Sequence, residues 1–200
     1  LITQLQARGH TIGLVAHPDS TSPAKPFFPW KGQRSQYFPD TLRNTATLWS
    51  AVQQFQPDLI HSFSRIFYLA PLLRSSLPKV MTYQRNPSHR TTHWGAKLAN
   101  GSLTFTGCSE YICRQGKSSG GTWHPIHNCV ELEKYAFQPT VADDAPLVFL
   151  SRIERIKGAH TAIAAARSTG CRLLIAGNQV SSEAGQRYWH DEIAPHLGKD

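Results

Sequence analysis

The chain lacks any apolar run of the 18 or so residues that a membrane-crossing helix needs. Its first residues also lack the basic, apolar, small-residue order of a signal peptide. Carboxylates are few, 13 against 21 lysines and arginines, and no Asp-x-Asp pair offers a metal site. His89 and His93 have the spacing of one helix face, but there is no H-E-x-x-H and no third ligand, so no metal is expected. The four cysteines, Cys108, Cys113, Cys129 and Cys171, form no CxxC pair. That favours reduced thiols in a cytoplasmic protein over a disulfide framework. No strand-like run leads into G-x-G-x-x-G, which disfavours a dinucleotide-dependent oxidoreductase. Aromatic RNP patterns, zinc-finger spacings and recognition-helix signatures are also missing, so nucleic acid is set aside as a partner.

What is present is a core-forming chain of 200 residues, 40% hydrophobic, with a formal charge of +8 that favours anionic partners. Apolar runs alternate with helical patterns from end to end, which predicts an α/β fold with parallel strands. Residues 1–8 read as a helix tail stopped by Gly9, so a strand is expected before Leu1. Strands are predicted at 11–17, 58–62, 79–84, 102–108 and 121–128. Residues 20–40 read as a long loop whose aromatics pack it down, and Asp40 as the N-cap of a helix over 41–55. A further helix over 66–76 bends at Pro71. A polar segment with Arg85, His89, Arg90 and His93 precedes a short helix at 94–98, and Ser109 caps another at 110–116. The shift in composition over 131–145 marks a linker, giving one domain at 1–140 and the start of a second at 141–200.

Residues 146–177 are the most informative. An apolar run, a loop holding Arg152 and Lys157, an Ala-rich helix and a second apolar run spell a strand, loop, helix, strand unit. Such a loop opens at the carboxyl edge of a parallel sheet, with the next helix presenting its N-terminus, and that edge suits an anion. Glu154 and Arg155 read as surface charges, and 181–197 as a helix with Tyr188, Ile193 and Leu197 on one side.

Gly9-His10, the Pro57 to His61 stretch, Ile126 to Glu131 and the Ser151 to Gly158 loop, in that order along the chain, together resemble the family-four glycosyltransferases, retaining enzymes of the GT-B fold. Ile126-His127-Asn128-Cys129-Val130-Glu131 is similar to their I-x-N-G-V-D segment, and Ser151-Arg152 through Lys157-Gly158 to their G-R-x-x-x-x-K-G loop. Pro57-Asp58-Leu59-Ile60-His61 resembles their P-D-[IV]-[IV]-H strand, and Gly9-His10 their R-G-H-x-V junction. Ser151 and Cys129 stand where the family has glycine.

The resemblance implies two Rossmann-like domains, the first binding the acceptor and the second a nucleoside-diphosphate sugar, with no cofactor and no required metal. Arg152 and Lys157 would hold the donor diphosphate. Gly158, Gly177 and Asn178 would approach the donor through their backbone, and His61 would act at the reacting sugar or acceptor. Arg85, His89 and Arg90 form a basic segment suited to the acceptor, whether a glycan, a lipid or a small molecule. A lipid acceptor would bring peripheral association with the inner face of the membrane. The family's acidic Glu-x7-Glu element does not occur by residue 200, so this stretch alone is expected to be inactive. A remnant α/β protein that binds an anion or nucleotide without turnover is the alternative.

Overall fold

The computed structural model describes residues 1–34 and 37–198. The chain divides into two compact units, Leu1–Val130 and Glu131–Asp200. Among the described residues every strand pair is parallel and helices flank the strands, the α/β arrangement expected from the alternating pattern.

In the first unit, α1 (Ile2–Ala7) leads to β1 (Leu14–Ala16), which pairs with β2 (Phe27–Pro29). Strand β2 lies inside the stretch expected to be loop. Three residues that follow one proline and end on another carry too little period to be read as a strand. Helix α2 runs Phe38–Phe55, beginning before its expected cap, because Pro39 fits the first turn, where no amide is needed. Asp40 therefore lies inside the helix, where its carboxylate accepts the amides of Gln33 and Arg34 at 3.2 and 2.9 Å.

Strands β3 (Ile60–Ser62), β4 (Lys79–Tyr83), β5 (Leu103–Gly107) and β6 (Thr122–Pro125) form one sheet in sequence order. Between β3 and β4 lies a 3-10 helix, Ile66–Leu72, tightened around Pro71. Helix α3 spans His89–Ala99, starting at the histidines rather than at Trp94. Helix α4, Glu110–Lys117, begins as expected, with the Ser109 hydroxyl accepting the Ile112 amide at 3.3 Å.

Strand alternation then sorts the side chains. Ile60, Met81, Leu103, Phe105 and Trp123 are buried with Leu69, Leu72 and Cys113 in one core. Phe105 and Trp123 stack with ring centroids 4.7 Å apart, and the indole nitrogen donates to the Gly120 carbonyl at 3.0 Å. Burying each such ring contributes about 1.5–3 kcal/mol. Gly116 is required here because a methyl on it would enter the Trp123 ring. On the alternate positions, His61, Thr104, Thr106, Thr122 and His124 are half-buried or exposed.

The second unit opens with an exposed segment holding one 3-10 turn, Leu132–Lys134. Then come β7 (Leu147–Leu150), a 3-10 turn at Arg155–Lys157, α5 (Ala159–Thr169) and β8 (Leu173–Ala176). Strands β7 and β8 pair in register, Leu147 with Leu173 through Leu150 with Ala176. The expected terminal helix is broken into α6 (Glu183–Tyr188), a π-turn at Trp189–Ile193 and a 3-10 turn at Ala194–His196, with Pro195 inside the last. Tyr188 and Ile193 pack with Ile153, Ala159 and Ile163 in the second core, while Leu197 is exposed.

No helix among the described residues is long and apolar enough to cross a membrane.

Candidate functional site

Two groups of candidate residues occur, one in each unit. In the first, His61 stands on β3, and Thr82 on β4 brings its hydroxyl 2.8 Å from His61 Nε2. Thr82 in turn lies 2.7 Å from the hydroxyl of Thr106, its register partner on β5. The ring of Phe63 covers the imidazole, with centroids 4.3 Å apart. Burial lowers the pKa of His61 below the ordinary histidine value, favouring the neutral ring. Among the described residues, its Nδ1 has no hydrogen-bond partner. Thr82 and Thr106 were not singled out from the sequence. The alternation of β4 and β5 places them on His61's side of the sheet, but only the register brings Thr82 to the ring.

Arg85, just past β4, is exposed, as are His89 and Arg90 at the start of α3. The structure does not gather them into one contact. His89 Nε2 lies 3.2 Å from the Ser118 carbonyl and His93 Nδ1 lies 3.3 Å from that of Ser119, both on the turn after α4. The two imidazoles stack, with centroids 6.3 Å apart. Beyond β4, Gln84 and Asn128 exchange reciprocal amide hydrogen bonds of 3.2 and 3.0 Å, tying the end of β4 to the segment after β6.

In the second unit, Arg152 and Lys157 both lie on the loop between β7 and α5. Arg152 is exposed and ion-paired with Glu154 at 3.1 Å. Arg155 pairs with Glu192 and lies over the Tyr188 ring, its guanidinium carbon 5.6 Å from the centroid. Neither Glu154 nor Arg155 is thus a free surface charge. Lys157 is exposed. Within this loop Arg152 and Arg155 each have a carboxylate partner, and Lys157 has none among the described residues.

Gly158 follows in the left-handed region, φ 79°, and turns the chain into α5. Its carbonyl accepts the amides of Thr161 and Ala162, at 3.0 and 3.1 Å, and the Tyr188 hydroxyl accepts that of His160 at 3.0 Å. The opening amides of α5 are therefore largely occupied from within the unit, and side chains carry most of the site's positive charge. Gly177 sits directly beside the end of β7, where a methyl would overlap the Ser151 carbonyl oxygen. The Asn178 carbonyl accepts the Ile153 amide at 2.9 Å and the Ala176 carbonyl that of Ser151 at 3.1 Å, so the end of β8 holds the Arg152 loop through the backbone and Gly177 leaves it room.

Comparison with known proteins follows the same lines. Residues 1–134 match the profile of Glycosyltransferase Family 4. No curated protein matches the chain. Among solved structures, a glycosyltransferase from Rickettsia africae ESF-5 superposes with a TM-score of 0.64 at 13% identity. The likeness covers 96% of this chain and 59% of that one, so the chain spans less than two thirds of the length of this structural relative. At that identity the likeness speaks for the fold, and it is the fold of a glycosyltransferase. With its parallel α/β units and two thirds of its length matched by the family profile, the chain belongs to glycosyltransferase family 4.

Proposed function

We propose that the chain serves transfer of a sugar, with retention of anomeric configuration, from a nucleoside-diphosphate sugar to a glycan, lipid or small-molecule acceptor. The observation that carries this reading is the β7–α5 loop. It offers a lysine without an acidic partner among the described residues and an arginine held from one edge by Glu154, at the carboxyl end of a parallel strand. As the glycosidic bond breaks, negative charge gathers on the departing diphosphate. Fixed cations stabilise that state more than the ground state, the kind of binding that accelerates reaction. Lys157 supplies a point charge and the remaining donors of Arg152 a planar fork. Attack from the face that the leaving group vacates, through an oxocarbenium-like state, would retain configuration.

His61 belongs to the acceptor side of this reading. Its Nε2 is engaged by Thr82, and its neutral form leaves Nδ1 to orient an acceptor hydroxyl or take its proton. Arg85, His89 and Arg90 extend a basic surface suited to an acceptor. Where the acceptor is a lipid, the reaction would take place at the cytoplasmic face of a membrane.

Calorimetric titration of UDP and GDP into the wild type and Lys157→Ala tests the phosphate role. Loss of one charge-assisted contact should weaken the preferred nucleotide by about 10- to 100-fold. Equal affinity in the two proteins would remove Lys157 from the donor site.

A further inference from the structure

The first unit contains a second group of cations that the resemblance does not reach. Lys31, Gln33, Arg34, Tyr37, Asp40 and Arg43 line a cleft of about 370 Å³. Its lining side chains are exposed apart from Asp40, and two buried polar residues, Asn44 and Asp40, hold the loop that bears them. Asn44, 4% exposed, grips both sides of Gly32, accepting its amide at 2.7 Å and donating to its carbonyl at 3.2 Å. Gly32 cannot carry a side chain, because a methyl would lie 2.5 Å from the Asp40 carbonyl oxygen. Asp40, 6% exposed, then fixes the next two residues through the amides of Gln33 and Arg34.

Charge in the cleft does not balance. Asp40 is the one carboxylate among the lining residues, and its other oxygen accepts from Arg43 at 2.8 Å. Lys31 and Arg34 have no acidic partner among the described residues. With Arg43 offset by Asp40, the lining carries an excess of two positive charges, the complement of a phosphomonoester dianion. The Gln33 side-chain amide and the Tyr37 hydroxyl add neutral donors. Phe38, next in the chain to Tyr37, is 62% exposed and meets the exposed ring of Phe67 with centroids 6.3 Å apart.

We propose that this cleft binds the phosphoryl group of a phosphomonoester, carried either by a small soluble molecule or by a lipid headgroup. The inference rests on the first unit alone and does not depend on the donor reading of Arg152 and Lys157. It is tested with the whole chain as wild type, Lys31→Gln/Arg34→Gln and Lys157→Ala. Both cleft side chains are exposed, and Arg34 meets Asp40 through its backbone amide, so the double variant should keep the wild-type thermal midpoint.

Glycerol 3-phosphate is titrated calorimetrically, and vesicles of phosphatidylcholine with and without phosphatidic acid are co-sedimented. In whichever arm binds, the double variant should be weakened by about tenfold or more, while Lys157→Ala matches the wild type. Binding of glycerol 3-phosphate alone makes the ligand soluble, and binding of the phosphatidic acid vesicles alone makes it a headgroup. Binding in neither arm, equal binding by wild type and double variant, or loss confined to Lys157→Ala overturns the proposal.

Discussion

Gly177→Ala is the most informative single change in the second unit, because it perturbs the Arg152 loop without touching a charge. The added methyl would lie 2.7 Å from the Ser151 carbonyl carbon and overlap its oxygen. Carbon contacts settle at about 3.5–4.0 Å, so the ends of β7 and β8 must part by roughly 1 Å. The atoms in the way are backbone and cannot rotate aside. Two hydrogen bonds span this junction, Ser151 to Ala176 at 3.1 Å and Ile153 to Asn178 at 2.9 Å. Overpacking of this kind costs about 1–3 kcal/mol, and each bond lost adds about 0.5–1.5 kcal/mol. Because Gly177 does not have a positive φ, the penalty is one of space, not of backbone preference.

Peptide-resolved hydrogen exchange is the suitable assay, since it reads the two units separately. Amides of β7 and β8 should exchange about 5- to 150-fold faster in Gly177→Ala, with β3 to β6 unchanged. Gly170→Ala is the control, because Gly170 has φ +67° at the end of α5 with open space around it. That change should loosen the helix end and leave the Ser151 junction protected. If β7 and β8 exchange at the wild-type rate in Gly177→Ala, the steric account of this glycine fails, and with it the backbone support proposed for Arg152.

Other tests lie in the first unit. His61 has a pKa lowered by burial, so between its folded and unfolded values the unfolded chain binds more protons and stability falls as pH falls. The thermal midpoint should therefore drop on acidification through and just below the ordinary histidine range, and His61→Asn should drop by less; parallel curves would refute this. Asn44→Ala removes the grip on Gly32 and should cost about 1–3 kcal/mol in urea unfolding with an unchanged m-value. An unchanged midpoint would show that the loop is held by Asp40 alone.

The parallel α/β order was legible because five strands and their following helices carry ordinary periods and stops. The failures are local and have physical causes. Asp40 looked like a cap because it precedes a helical period, yet Pro39 can occupy the first turn, which moved the start back to Phe38. The polar surface of α3 hid its first turn, whose Thr92 is wholly buried and donates to the Ser88 carbonyl at 2.8 Å. Arg152 and Lys157 could be placed on their loop from spacing alone. The pairing of Arg155 with Glu192 could not, because it joins residues brought near one another only by folding.

The two departures from the family pattern sharpen what its motifs require. Cys129 stands where glycine is usual, and its backbone does not enter the left-handed region, so the substitution carries no conformational penalty. What holds that segment is the reciprocal amide pair of Asn128 with Gln84, which needs an amide side chain at position 128 and makes no demand on position 129. Ser151 also stands where glycine is usual and likewise avoids a positive φ. Here the close approach is between the Ser151 carbonyl and Gly177, the residue just after β8. A side chain is tolerated at 151 because the bare backbone needed for β7 to turn into its cationic loop is supplied across the sheet.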